Sequence, residues 1–474
     1  MENSLAYLQK HLDNVRDFYN LAPSNSTWGG RFYRHLLSTY YKYLIPSTAS
    51  ILEVGCGNGE LLALLPNRNV TGVDVSEKQV ELAKKRIPYG SFYPGCAEVL
   101  SENQNIHQKF DVIVLSETIN LGADVQKIFD QLHSMSTPNT RLILNFYSSL
   151  WKPFLMIATA LGMKSKHPAA NWLSNADVKN LLHLSSWELI KEQPRILLPF
   201  PLFGIEKFFN KYLAYFFWPL CLTVFHIARP KQVAPRVEKT VSVIIPARNE
   251  AGNIQAAISR TPEMGASTEI IFIEGNSTDN TWQEIQRLAL GNPNIVIMQQ
   301  TGKGKGNAVR EAFAKAKGDI LMILDADLTV PPEELPKFYE ALVSGKAEFA
   351  NGVRLVYPME DKAMRFLNMC ANKFFSLSFS WILGQPIKDT LCGTKVLYRE
   401  DYLKIAANRS YFGDFDPFGD FDLLFGASKL NLKMTDIPIR YRDRTYGETN
   451  ISRWSHGWLL LKMVVFSLKK IKFI

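Results

Sequence analysis

The chain is poor in cysteine, with five in 474 residues, widely scattered and without a C-x-x-C pair. That scarcity argues against a disulfide framework or a zinc knuckle and for a reducing compartment. Long apolar runs are lacking too. The longest, Tyr212 to Ala228, is interrupted by Pro219, and its second half, CLTVFHIA, reads as a β-strand closing a domain after an apolar surface segment. The first residues, MENSLAYLQKHLDNVRDFY, are charged and amphipathic, so no signal peptide is expected. Glycine and proline, at 28 and 24, stand near ordinary usage, which excludes collagen-like or linker-dominated architectures. No repeat and no low-complexity tract occurs.

What remains is globular material. Hydrophobic residues make up 46% and charged residues 21%, which rules out wholesale disorder. A net charge of +9 favours phosphate-bearing ligands or an anionic membrane surface. No nucleic-acid partner is expected, and the oligomeric state is left open. A Pro- and Val-rich charged connector, Arg229 to Lys239, separates two segments in which short β-branched runs alternate with helical stretches. The expected organisation is a domain over 1–230, a linker over 231–240 and a second domain over 241–474, each α/β.

In the first half, Ser50 to Glu60 (SILEVGCGNGE) reads as a strand, a glycine-rich turn and a helix start. Gly55, Gly57 and Gly59 permit close approach of backbone to a ligand, and Asp74 ends the next strand, where an acidic side chain reaches ribose hydroxyls. The glycine spacing is not the dinucleotide fingerprint G-x-G-x-x-G. It resembles the first motif of class I S-adenosylmethionine-dependent methyltransferases, a resemblance covering roughly residues 30–230. It implies a Rossmann-like fold with a seven-stranded sheet, with 110–116 and 141–145 as its fourth and fifth strands. Glu53, Gly55, Gly57 and Gly59 would line the methionine moiety of S-adenosylmethionine, Asp74 the ribose, and the segment ending at Glu98 the adenine. Cys96 stands where the family often has Asp. Glu117, His133 and His167 are the candidate bases should the methyl acceptor need one.

The second half opens on Val241 to Glu250 (VSVIIPARNE), a buried strand stopped by Pro246 and a polar turn. Glu269 to Asp279 (EIIFIEGNSTD) repeats that plan, and Thr301 to Ala308 (TGKGKGNA) is a basic glycine-rich loop suited to a diphosphate. It lacks P-loop spacing, so nucleoside triphosphate hydrolysis is disfavoured. Asp319 to Asp327 (DILMILDAD) carries Asp325 and Asp327 two apart at a strand end, where two carboxylates on one side would hold Mg²⁺ or Mn²⁺.

These ordered motifs resemble a family 2 glycosyltransferase of GT-A fold, nearest to the dolichyl-phosphate mannosyltransferase-like branch. The resemblance implies that Pro246, Arg248, Asn249, Glu250 and Glu274 border the nucleotide, with Gly275 where many relatives have a second Asp. Lys303 would approach the diphosphate, and Asp325 with Asp327 would bind the metal. Asp389 (in DTLCGTK) would lie near the transferred sugar, Asp420 or Asp422 would be the catalytic or sugar-orienting carboxylate, and Arg444 would clamp an acceptor phosphate. Asn450 replaces the family's Lys in that last segment, RDRTYGETN.

The function expected is therefore bifunctional: metal-dependent, inverting transfer of a sugar from a nucleotide-sugar to a polyprenyl phosphate or other lipid-linked glycan acceptor, with S-adenosylmethionine-dependent methylation of a glycan or lipid group. The aromatic, cationic stretch Arg365 to Leu383 and the basic apolar tail Gly457 to Ile474 suit peripheral attachment to the inner face of the cell membrane. A second reading is a soluble glycosyltransferase with a hydroxyl acceptor and a non-catalytic first half.

Overall fold

The computed structural model describes residues 2–21, 28–103, 105–160, 171–231, 238–354, 366–411, 421–442, 444, 446 and 453–474. The chain divides into two compact units, Met1–Lys231 with Phe473 and Ile474, and Gln232–Lys472.

The first unit holds seven strands: β1 (Ile51–Val54), β2 (Val70–Asp74), β3 (Ser91–Pro94), β4 (Val112–Ser116), β5 (Arg141–Tyr147), β6 (Trp187–Ile196) and β7 (Thr223–Pro230). Their order is β3-β2-β1-β4-β5-β7-β6. The first five run parallel, and β7 is antiparallel to both β5 and β6. Alternation sends Ile51, Val112 and Ile143 to one buried face and Leu52, Ile113 and Leu144 to the other. Helices cover both faces. That over Glu77–Arg86 starts where the Ser76 side chain accepts from Gln79 N, and it ends in Lys84, Lys85 and Arg86, which suit the negative end of its dipole. The strand expected in the apolar run 212–228 is β7, beginning at Thr223. Among the described residues no helix is long and apolar enough to cross a membrane.

The second unit also holds seven strands: β8 (Thr240–Ala247), β9 (Ser267–Glu274), β10 (Ile295–Gln299), β11 (Ile320–Ile323), β12 (Phe349–Val353), β13 (Lys395–Tyr398) and β14 (Met434–Pro438). The order β10-β9-β8-β11-β13-β12-β14 combines a parallel half with β13, which is antiparallel to its neighbours β11 and β12. Strand β8 passes through Pro246 rather than stopping there. The Ile244 carbonyl accepts from Leu324 N at 2.9 Å, and two residues on, Pro246 lacks its N–H on that same side, where β11 has ended.

Helices Phe366–Leu383 and Arg453–Ser467 each bury one apolar face and expose another. Phe375, Phe379 and Ile382 of the first, with Leu460 and Met463 of the second, enter the core, while Phe374, Leu377, Trp381, Trp458 and Leu461 face outward.

His226 on β7 is fully buried, edge-on to Phe146 with ring centroids 5.2 Å apart, and neither ring nitrogen has a hydrogen-bond partner among the described residues. Burial, helped by Lys179, lowers its pKa from 6.5 to about 3. The unfolded chain therefore takes up this proton first. The contribution to stability is fully present above the unfolded value and is lost as the pH falls toward the folded one. At about pH 5 this residue alone costs roughly 2 kcal/mol relative to neutral pH. Urea unfolding of wild type and His226→Leu across that range should show a distinctly shallower acid loss in the variant.

Candidate active sites

In the first unit the carboxyl ends of β1, β2 and β4 converge where the strand order reverses, the crevice in which such sheets bind ligands. The turn after β1 takes Gly55, Gly57 and Gly59 through positive φ values of 78°, 50° and 72°. At Gly55 a Cβ would collide with Thr118, whose hydroxyl donates to the Val54 carbonyl at 2.7 Å, so this position admits only glycine. Asp74 accepts from Gly57 N at 2.8 Å and from Ser76 N at 3.0 Å, and burial raises its pKa. Glu53 is buried with Oε2 unpartnered among the described residues. Burial, then Asp74, push its pKa well up. A buried acceptor beside a second acid calls for a cationic donor, so these residues fit the ammonium and sulfonium charges of S-adenosylmethionine.

The other expectations in this unit divide. Glu98 accepts from the Cys96 thiol at 2.8 Å and from Ala123 N at 2.9 Å, so both its oxygens are engaged within the protein. His133 stacks on Trp187 and bonds the Ser185 carbonyl at 2.7 Å. His167 lies outside the described residues. Glu117, directly after β4, adopts a left-handed φ of 63°, and its Oε1 is buried without a partner among the described residues. Burial and then Glu117 drive the Tyr33 and Tyr147 hydroxyls well above their ordinary pKa, and the two rings lie 6.1 Å apart. Tyr33 comes from the helix Trp28–Leu44, which carries no ligand motif, and so this part of the crevice escaped the sequence reading.

In the second unit, side chains lace the turns after β8 and β9 together. Asn249, at φ 57°, accepts from Thr278 N at 2.8 Å and donates its own N–H to Ser277 Oγ at 2.9 Å. Glu274 is buried and accepts from Ser277 N. Pro246, near the end of β8, is half-buried, and Arg248 on the turn that follows is exposed.

The two aspartates of the D-x-D do not share a strand face. β11 ends at Ile323, and both lie in the following turn, closed by Leu328 N on the Asp325 carbonyl, so each meets a different cation. Asp325 pairs with Lys305 Nζ at 2.6 Å. Burial pushes its pKa up, but Lys305, Arg354 and Lys395 outweigh that and hold it below the ordinary range. Asp327 accepts from Thr329 Oγ1 at 2.9 Å and pairs with Arg444 Nη2 at 2.6 Å, while Arg444 Nη1 lies 3.5 Å from Glu250. The glycine-loop lysine that reaches the acid is thus Lys305, while Lys303 stays exposed. Gly393 has no room for a Cβ, which would strike Asp325 and Lys305. Among the described residues no group of three or more His, Cys, Asp or Glu gathers as a metal cluster. Asp325 and Asp327 supply two oxygen donors of the kind Mg²⁺ and Mn²⁺ accept alongside phosphate and water, so the donor set fits in type.

Asp389 is fully buried, bound bidentately by Arg354 (2.7 and 2.9 Å) and reached by Asn372 Nδ2 at 3.2 Å. Burial raises its pKa, yet Arg354 and these bonds prevail and lower it. Asp422 pairs with Arg310 at 3.0 Å and Arg409 at 3.2 Å, and none of its described contacts joins it to Asp325 or Asp327. Asp420 and Asn450 lie outside the described residues. Removing one member of a buried pair strands the other. Asp389→Ala should therefore cost the second unit about 3–5 kcal/mol, read as a lowered urea midpoint of its unfolding transition.

Comparison with known proteins agrees with this division. Residues 45–187 match the methyltransferase domain family, and residues 242–405 match Glycosyl transferase family 2. Dolichol-phosphate mannosyltransferase of Pyrococcus furiosus is 40% identical over 118 residues, covering 24% of this chain and 33% of that protein. Undecaprenyl-phosphate 4-deoxy-4-formamido-L-arabinose transferase of Edwardsiella ictaluri is 26% identical over 216 residues, 44% of this chain and 62% of the relative. The chain thus spans a third of the length of the first and under two thirds of the second. A solved glucosyl-3-phosphoglycerate synthase of Mycobacterium tuberculosis, in complex with Mn²⁺, uridine-diphosphate and glucosyl-3-phosphoglycerate, is 20% identical. It covers 50% of this chain and 81% of its own, with a TM-score of 0.37. The two seven-stranded units are a Rossmann-like methyltransferase fold and a GT-A-like fold. The chain thus carries a methyltransferase domain over residues 45–187 and a Glycosyl transferase family 2 domain over residues 242–405.

Proposed function

We propose that the second unit transfers a sugar, with inversion, from a nucleotide-sugar to a polyprenyl phosphate, and that the first unit methylates a glycan or lipid group. The observation that carries the first part is the paired arrangement at the end of β11, Lys305 with Asp325 and Arg444 with Asp327 and Glu250. The names of the relatives, which act on dolichol phosphate and undecaprenyl phosphate, support a lipid-phosphate acceptor.

On this reading Asn249, Glu250 and Glu274, with Pro246 and Arg248, border the nucleotide, and Lys303 and Lys305 bring positive charge to its diphosphate. A bound Mg²⁺ or Mn²⁺, held by Asp325 and Asp327, supplies charge neutralisation to the leaving group. Arg444 orients the acceptor phosphate through its fork of donors. An oxygen of that phosphate forms the new bond to the anomeric carbon while the bond to the diphosphate breaks on the opposite face. The acceptor is ionised at neutral pH and needs no base. Asp389 accords with that, because Arg354 holds it and lowers its pKa, which makes it a weak proton acceptor. Asp389 instead positions Arg354. The outward apolar faces of helices Phe366–Leu383 and Arg453–Ser467, with Lys462, Lys469 and Lys472, rest on the inner face of the cell membrane and meet the polyprenyl chain.

In the first unit, S-adenosylmethionine supplies an activated methyl group when bound. Glu53 and Asp74 hold it, and Glu117 takes the acceptor's proton between Tyr33 and Tyr147.

Incubation with a panel of nucleotide-sugars, Mn²⁺ and a short polyprenyl phosphate should release nucleoside diphosphate. Asp327→Ala, folded by circular dichroism, should lose about 100-fold or more of that release, and a chelator should abolish it. Release that persists at full rate in either case refutes the reading. Tritiated methyl transfer to extracted lipid should fall about 100-fold in Glu117→Gln, and unchanged transfer removes Glu117 as the base.

A further inference from the structure

We infer that the first unit carries a docking surface of its own for an anionic lipid bilayer, formed by the helix Lys152–Ala160 and the segment from Phe200 to Leu220. The two stretches adjoin: Trp151 Nε1 donates to the Leu220 carbonyl at 2.8 Å, and Ser148 N to the Leu222 carbonyl at 2.8 Å. The helix buries none of its residues and leaves Phe154 and Ile157 exposed, and the second stretch exposes Phe203, Phe217 and Trp218.

This display is built rather than frayed. Beneath it Leu197, Ala214 and Cys221 form a small core of their own. The buried Asn210 side chain accepts from Leu197 N and Leu198 N and donates to the Leu198 carbonyl, each at 2.8 Å. Phe203 is the clearest case. Its ring is 103% exposed while its backbone sits at a left-handed φ of 50°. Glu206 fixes that turn, its Oε2 accepting from Leu202 N and Gly204 N at 2.8 Å each. A non-glycine residue in this conformation is strained, and the turn that imposes it holds an aromatic side chain out from the surface.

Charge selects the occupant. Over 150–160 and 200–220 the charged side chains are Lys152, Lys207, Lys211 and Glu206, and the Glu206 carboxylate is buried and engaged with its own turn. These two stretches thus present aromatic and aliphatic groups among lysines, with no exposed acid among their own described residues. That is the chemistry of the interface of an anionic bilayer, in which Phe and Trp insert at the headgroup level and lysines meet the lipid phosphates. The inference goes beyond the proposed reaction and holds whatever acceptor the second unit uses.

Flotation of the full chain with phosphatidylcholine vesicles, with and without phosphatidylglycerol, tests it. Phe203→Ser/Phe217→Ser/Trp218→Ser, all at exposed positions, should weaken binding about tenfold or more, and Phe203→Trp alone should retain it. Lys207→Glu/Lys211→Glu should remove the preference for phosphatidylglycerol. Trp458→Ser/Leu461→Ser separates the attachment proposed for the second unit. Should the triple variant float as the wild type does, the inference fails, whether another part of this chain, a second copy or a protein covers the face. If in addition the Trp458→Ser/Leu461→Ser variant detaches, attachment through the second unit stands alone. Loss of binding in the triple variant with nucleoside diphosphate release unchanged upholds the inference independently of the glycosyl-transfer chemistry.

Discussion

The pairing of Asp325 with Lys305 is the constraint on which the second unit's site depends. The turn after β11 places the carboxylate where burial raises its pKa, and Lys305, Arg354 and Lys395 outweigh that and hold it below the ordinary range. Because Lys305 opens the helix Lys305–Lys315, the pair also ties the glycine loop to the strand end, and Gly393 leaves it the space. Arg354 extends the network to Asp389, so the acids expected near the sugar and near the diphosphate belong to one electrostatic system. Mutations within such a system do not add.

Both units apply the same rule of sheet construction. Parallel strands buried on both faces leave their polar residues nowhere but at the strand ends, and where the order turns, at β1 beside β4 and at β8 beside β11, those ends open a crevice. The first unit fills its crevice with acids and tyrosines, the second with acids and cations. The former suits a cationic ligand, and the latter is balanced pair by pair.

Most strands could be read from the sequence because their β-branched runs are buried continuously. The runs around Leu52, Val114, Ile271 and Leu321 are cases in point, and the glycine turn with Asp74 was legible because steric need restricts those positions to few residue types. Side-chain pairing was not legible. Period-two reasoning put Asp325 and Asp327 on one face, but the strand stops at Ile323 and the turn assigns them separate partners. Nothing local distinguishes Lys303 from Lys305 in the loop. The partnership of Arg354 with Asp389, and that of Tyr33 with Glu117, join segments distant along the chain, where only the fold makes neighbours.

The charge balance of the second unit bears on the proposed chemistry. Arg444 faces Asp327 and Glu250, Lys305 faces Asp325, Arg354 faces Asp389, and Arg310 with Arg409 faces Asp422. These cations are thus already met by carboxylates, which leaves the exposed Arg248 and Lys303 as further side-chain charge for an entering diphosphate. Breaking a pair to release its cation would leave a partly buried carboxylate uncompensated, at a cost of several kcal/mol. Asp325 and Asp327 would hold a divalent ion that would supply positive charge to the diphosphate without removing a cation from its carboxylate. On the proposed reading, then, the paired state of these cations and the D-x-D acids together favour a metal at the diphosphate.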